Sequence, residues 1–276
     1  MNRIQKKFKE LKKKNEKALI TFVTAGDPNL SATEKLVYEI EKAGADLIEL
    51  GIPFSDPMAD GPVIQRSDER ALRQKTTLLS ILNLVQKIRK KTQVPLVLMG
   101  YFNPILQMGC ENFCKRAAQA GVDGLIVVDL PPEESSELHQ PAKKAGLSLI
   151  YLLTPTSDEI RIQKVKKVAS GFVYYVSMTG ITGAALEGFQ EIKKQVSFIQ
   201  QRISLPLCVG FGIRTPEEAF VLSRFAEGVV VGSSLISILE KKKGDLGIRE
   251  VAKRVRKLKN AISPHPDPLP TGERGG

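Results

Sequence analysis

A glutamate at the end of a short apolar run, followed at once by a loop crowded with proline, glycine and aspartate, is where this chain first offers reactive groups. The run is DLIEL (46–50) and the loop is GIPFSDPMADGPVIQ, which brings Glu49, Asp56 and Asp60 close together in sequence. A carboxylic acid in apolar surroundings resists ionisation, because loss of water penalises the charged form. Its pKa then moves toward the range where it can give and take protons near neutral pH. Leu47, Ile48, Ile52 and Phe54 could supply such surroundings for Glu49. If the run is a strand, alternation puts Glu49 on the face of Leu47 and opposite Leu50, and the mouth of a barrel suits a carboxylate there. An ordinary structural use is equally open, with Glu49 paired to a basic side chain of the next strand and Asp60 capping the helix that follows.

A second set of candidates lies toward the other end, where glycines recur in three successive loops: GITG (180–183), GFG (210–212) and GSS (232–234). Glycine lets backbone N–H groups approach an anion closely, and the start of a helix adds unsatisfied donors and a positive dipole. One such glycine means little, but three sets in consecutive loops point to a cradle for phosphate. Carboxylates and cradle together suggest proton-transfer chemistry on a small phosphorylated molecule without a metal. They do not choose between an isomerase, an aldolase-like lyase and a ring-closing synthase.

Both sets must be held by the elements around them. Eight apolar or β-branched runs recur, at 19–24, 46–50, 95–100, 124–130, 147–153, 171–176, 206–211 and 227–232. Between them lie helical patterns such as SATEKLVYEIEKAGA and PEESSELHQPAKKAG, each closing on a glycine or just after one. Continuous apolar strands alternating with helices predict a parallel sheet, and eight units predict a single (β/α)8 barrel over residues 1–260. A doubly wound sheet would place G-x-G-x-x-G after the first strand, where this chain has TAGDPN. Ile4, Phe8 and Leu11 recur at helical spacing and predict an extra, solvated amphipathic N-terminal helix. The segment SPHPDPLPTGERGG lacks periodic apolar residues, so residues 261–276 are expected to form a disordered tail.

Composition narrows the function classes. The net charge is +11, but residues 1–17 and 241–276 contribute +6 each, which leaves 18–240 at −1. A neutral body with basic ends argues against a nucleic-acid partner. No apolar run is long enough for a membrane span and no signal sequence is evident, so a cytoplasmic location is expected. Cys110, Cys114 and Cys208 are read as buried thiols. Together with His139 and His265 they do not assemble a metal site, and none is expected.

The segment LIELGIPFSDPMADGPVIQ resembles the signature of the tryptophan synthase alpha subunits. FVTAGDP, GLIVVDLPPEES, YYVSMTGITG, VGFGIRTPEE and GVVVGSS follow in the family's order, so that the resemblance spans roughly residues 15–240. It implies retro-aldol cleavage of indole-3-glycerol phosphate to indole and glyceraldehyde 3-phosphate, with Glu49 as acid-base residue, Asp60 on the indole N–H and Tyr174 near Glu49. It further implies an indole pocket lined by Phe22, Met99 and Phe211, and phosphate contacts from Thr182, Gly183, Gly212, Gly232 and Ser233. Pro53 and Asp56 would lie on a loop facing a beta subunit that carries pyridoxal phosphate, in an alpha2beta2 complex, while this subunit needs no cofactor. Met178 departs from the pattern, since relatives often carry a basic residue there. Rival phosphate-binding barrels are not expected to carry the GIPFSDPMADGP loop, and a silent activator barrel would be expected to lose Glu49 or Asp60; this chain has all three.

Overall fold

In a computed structural model, which describes residues 1–177, 185–210 and 212–263, eight parallel strands close into a barrel in sequence order. They are β1 (Ala18–Thr24), β2 (Leu47–Gly51), β3 (Leu96–Gly100), β4 (Gly124–Val127), β5 (Ser148–Leu153), β6 (Val173–Val176), β7 (Leu207–Gly210) and β8 (Gly228–Val231), and β8 pairs back onto β1. Each agrees with an expected run to within a residue or two except the fourth, which was expected to reach 130. There the ladder ends because the chain turns at Val128–Asp129, and the Asp129 carboxylate accepts from the Phe102 N–H at 2.8 Å.

Strand alternation creates two cores rather than one. Ile20, Leu47, Val97, Ile150 and Val230 fill the barrel, whereas Leu19, Ile48, Leu50, Leu149 and Val229 pack outward against the helices. Because both faces are covered, the strands are apolar throughout, which is why the sequence runs show no polar alternation.

The N-terminal helix, α1 (Arg3–Lys13), begins with an Asn2–Gln5 capping box. Its Ile4, Phe8 and Leu11 are buried, and Phe8 packs on Phe172 with ring centroids 5.7 Å apart. Those three residues join the inner core, so the helix plugs the bottom of the barrel and only its polar face is solvated. The basic N-terminus is therefore part of the folded barrel. The last helix, α12 (Gly244–Ile262), runs two residues past the expected boundary at 260, and the tail from 264 onward lies outside the described residues. All three cysteines are buried with free thiols. Among the described residues no helix is long and apolar enough to cross a membrane, and no cluster of three potential metal ligands occurs.

Candidate active site

Glu49 sits on the inner face of β2, in register with Phe22 of β1 and Val97 of β3. It is fully buried, deeper than the mouth position suggested by its place near the strand end. Among the described residues neither carboxyl oxygen has a hydrogen-bond partner, so the basic partner required by a structural role is not there. Burial without compensation raises its pKa to about 8.

Alternation also decides which tyrosine of β6 faces it. Tyr174 belongs to the inner core and Tyr175 to the outer one. Burial, and next the charge of Glu49, hold the Tyr174 hydroxyl well above its ordinary pKa. Two glycines make room for the inner aromatics. A Cβ on Gly210 would fall 2.5 Å from the Tyr174 hydroxyl, and one on Gly51 would fall 2.6 Å from Phe22 Cζ. Phe22 lies between β2 and β8, and Met99 is partly buried against the inner core.

Asp60 does not cap the next helix. α3 (Pro62–Arg73) has Gly61 at its N-cap and no side-chain cap bond. Instead the Tyr101 hydroxyl donates to Asp60 Oδ2 at 2.9 Å and accepts from the Ala59 N–H at 2.9 Å, while Gln65 Nε2 donates to the Asp60 carbonyl at 2.8 Å. Burial raises the Asp60 pKa and the Tyr101 hydroxyl opposes that rise. Tyr101 also stacks on Phe54, with ring centroids 5.1 Å apart, so the aromatic pair supports the loop from 52 to 61. Tyr101 was not singled out from the sequence. The signal available was its position one residue beyond β3, at the strand ends where barrel chemistry collects. Asp68, on α3 and 4% exposed, was missed as well, because it reads as one more charge in a charged helix.

In the loops that follow β7 and β8, Gly212 adopts φ +77°, which favours glycine, and Gly232 precedes α11 (Ser233–Lys241). A Cβ on Gly232 would approach Phe22 Cβ to 3.1 Å, so this helix start lies directly beside the inner aromatic. Gly212, Gly232 and Ser233 are all partly exposed, as an anion site at a helix start requires. Thr182, Gly183, Phe211 and Met178 lie outside the described residues. In the carboxylate loop Pro53 is buried, Asp56 is exposed and accepts from the Ser55 hydroxyl, and Met58 is 93% exposed.

The family model described as "Tryptophan synthase alpha chain" matches residues 8–263. The chain belongs to the tryptophan synthase alpha chain family. It is 56% identical over 262 residues to the tryptophan synthase alpha chain of Citrifermentans bemidjiense, covering 95% of this chain and 98% of the relative. It superimposes on the crystal structure of tryptophan synthase subunit alpha from Legionella pneumophila with a TM-score of 0.89 and 43% identity, covering 95% and 98% of the two chains. It also matches tryptophan synthase from M. tuberculosis in an aminoacrylate- and BRD0059-bound form, at a TM-score of 0.86 and 29% identity, covering 96% and 99%.

In a tryptophan synthase alpha chain the Gly210 and Tyr174 contact should matter more for turnover than for folding. Gly210→Ala must push the Tyr174 ring out of place. Overpacking of this kind costs about 1–3 kcal/mol. The melting temperature should fall by about 2–8 °C on that basis. Indole release should fall about tenfold, since small misplacements at a reacting centre are costly. Parallel thermal melts and indole assays would check both; wild-type turnover in a folded variant would remove Tyr174 from the site.

Proposed function

We propose that Glu49 is the proton carrier and Asp60 the charge partner in the reaction that family membership assigns to this chain, cleavage of indole-3-glycerol phosphate to indole and glyceraldehyde 3-phosphate in tryptophan biosynthesis. The observation that carries the assignment is the state of Glu49: fully buried, without a hydrogen-bond partner among the described residues, and raised to about pKa 8. At neutral pH such a group is a carboxylic acid, able to deliver its proton to the indole ring carbon that bears the glycerol chain. Positive charge then develops toward the indole nitrogen, where an ionised Asp60 stabilises the transition state more than the neutral substrate. The Glu49 carboxylate takes the proton of the neighbouring glycerol hydroxyl, the carbon–carbon bond breaks, and its electron pair returns to the ring. Glu49 ends as it began, protonated, so the cycle balances.

Tyr174 positions Glu49, and Phe22, Met99 and Phe211 line the indole pocket. Thr182, Gly183, Gly212, Gly232 and Ser233 hold the phosphate through backbone donors and the α11 start. This chain needs no cofactor of its own. Its partner is a beta subunit carrying pyridoxal phosphate, in an alpha2beta2 complex, met by the loop of Pro53 and Asp56, and the working location is the cytoplasm. The exposure of Asp56 and Met58 supports that face as the docking side.

The test is indole release from indole-3-glycerol phosphate with and without a beta subunit. Indole from the chain alone, increased by the partner, is the expected result. A folded chain that yields no indole even with a competent partner would leave only an activator role.

A further inference from the structure

The groups assigned to the two ends of the substrate sit at the starts of two helices far apart in the chain. α3 begins at Pro62, directly after Asp60 and Gly61, and its Gln65 side chain donates to the Asp60 carbonyl at 2.8 Å. α11 begins at Ser233, one of the residues assigned to the phosphate. The two helices pack against each other. Apolar burial does little to set how they lie. The residues that α3 buries fully are Ser67, Asp68 and Ala71, so its fully buried apolar anchor is one methyl group, while Val63, Ile64 and Leu72 are only partly buried. The next helix, α4 (Leu78–Arg89), by contrast buries six aliphatic side chains from Leu78 to Ile88. Ser67 is tied to β1, its Oγ 2.6 Å from Thr24 Oγ1. Burial, and after it the charge of Asp60, raise the Asp68 pKa to about 8.

Ion pairs supply what apolar packing does not. Glu240, near the end of α11, accepts from Arg66 Nε at 2.6 Å and from Arg66 Nη2 at 2.9 Å, a two-pronged bond from the middle of α3. Its Oε1 also accepts from Arg70 Nη1 at 3.1 Å, one turn further along α3. Arg70 in turn grips Asp27, in the loop after β1, with two 2.8 Å bonds, and that aspartate is 3% exposed. One glutamate thereby joins three βα units: the first through Asp27, the second through α3, and the eighth, to which it belongs. The paired, planar bonds of arginine to carboxylate fix angle as well as distance. A helix bends little over a few turns, so a clamp at Arg66 and Glu240 also fixes where the starts of α3 and α11 lie relative to each other.

We propose that Glu240 is a positioning residue: by clamping α11 to α3 through Arg66 and Arg70, it sets the span between the phosphate held at the α11 start and the indole nitrogen held at Asp60. A substrate gripped by its phosphate reacts only if its ring reaches Asp60 and Glu49 together, and a misplacement of about 1 Å can cost about a hundredfold. Glu240 acts through the two helices and not on the substrate itself. The inference rests on the proposed roles of Asp60 and the α11 start, but the clamp can be read without turnover.

Arg70→Ala would strand the buried Asp27 carboxylate and endanger the fold, so the test uses Glu240→Ala and Arg66→Ala, which leave the Arg70–Asp27 pair in place. In Glu240→Ala, kcat/KM for indole release should fall about tenfold, as a misplacement of less than about 1 Å brings. The Kd for glycerol 3-phosphate, which calls on the phosphate end alone, should stay within about twofold, and the melting temperature within about 4 °C, because these ion pairs are partly exposed. Arg66→Ala should cost about threefold, and the double variant should be no slower than Glu240→Ala, since both cut one clamp. Spin labels on Glu69→Cys and Lys241→Cys, both at exposed positions, should report a narrow distance distribution in the labelled parent and a broader one once Glu240→Ala is added. The native cysteines are buried and stay out of the labelling. An unchanged distribution overturns the proposal, as do an unchanged kcat/KM and additive losses in the double variant. So does a loss of glycerol 3-phosphate affinity as large as the loss in kcat/KM, which would place Glu240 in support of the phosphate site alone. Should the parent itself release no indole, the reaction assignment fails, and the label distances alone decide whether Glu240 sets the spacing of the two helices.

Discussion

Glu49→Gln should lower indole release about a thousandfold, the range expected when one group performs both proton transfers of a reaction, and should make the protein more stable at alkaline pH. The second effect follows from the same burial. In the unfolded chain Glu49 ionises near 4.5, whereas in the folded chain it holds its proton to about 8. Between those values the folded state binds the extra proton, so the stability it contributes is fully present below 4.5 and is lost as pH rises through about 8. The loss is on the order of 4 kcal/mol for a shift of this size. Glutamine does not titrate, so the variant escapes it. The melting temperature of Glu49→Gln relative to the parent should therefore rise from pH 5 to pH 9, by about 7 °C if the whole shift is realised. Asp68 titrates in both proteins and cancels in the difference. A pH-independent difference would mean that Glu49 is solvated or paired and keeps its charge when folded, and with it the acid role would go.

That prediction depends on a feature only half legible in sequence. Alternation along LIEL placed Glu49 on the face of Leu47, which is the inner face, and eight apolar runs gave the closed barrel, because strand period and strand count are local signals. Depth was not legible. Whether an inward carboxylate meets water, a lysine or nothing depends on neighbours in β1 and β3 that are about 27 and 48 residues away, and on α1 plugging the barrel from below. The same limit explains Tyr101. It acquires its role only when the end of β3 meets the loop that carries Asp60, and no spacing within a single segment records that meeting. The glycines tell the opposite story. Gly212 was read as a backbone donor and has the positive φ that a turn alone would require, whereas Gly210, read with it, is needed to clear the Tyr174 ring of the neighbouring strand.

Asp60→Asn should lower kcat/KM for indole release about a hundredfold or more, in keeping with the loss of one preorganised electrostatic group from a water-poor site. The amide keeps the shape and can still accept from the Tyr101 hydroxyl, so the fold and the loop should persist; what is lost is the charge that answers the developing cation on the indole ring. Burial works against that charge, and the 2.9 Å bond from Tyr101 works for it. Tyr101→Phe removes that donor and also strands the Ala59 N–H, so it should cost about tenfold, the usual consequence of one buried hydrogen bond. The two effects should not add. Once residue 60 is an amide there is no charge for Tyr101 to support, and the double variant should be little worse than Asp60→Asn alone, a coupling of about 1 kcal/mol between residues in contact. Single-turnover indole release from the four proteins of this cycle would measure it. Additive losses would show that Tyr101 acts on the loop alone, and that the ionisation of Asp60 is set by other groups.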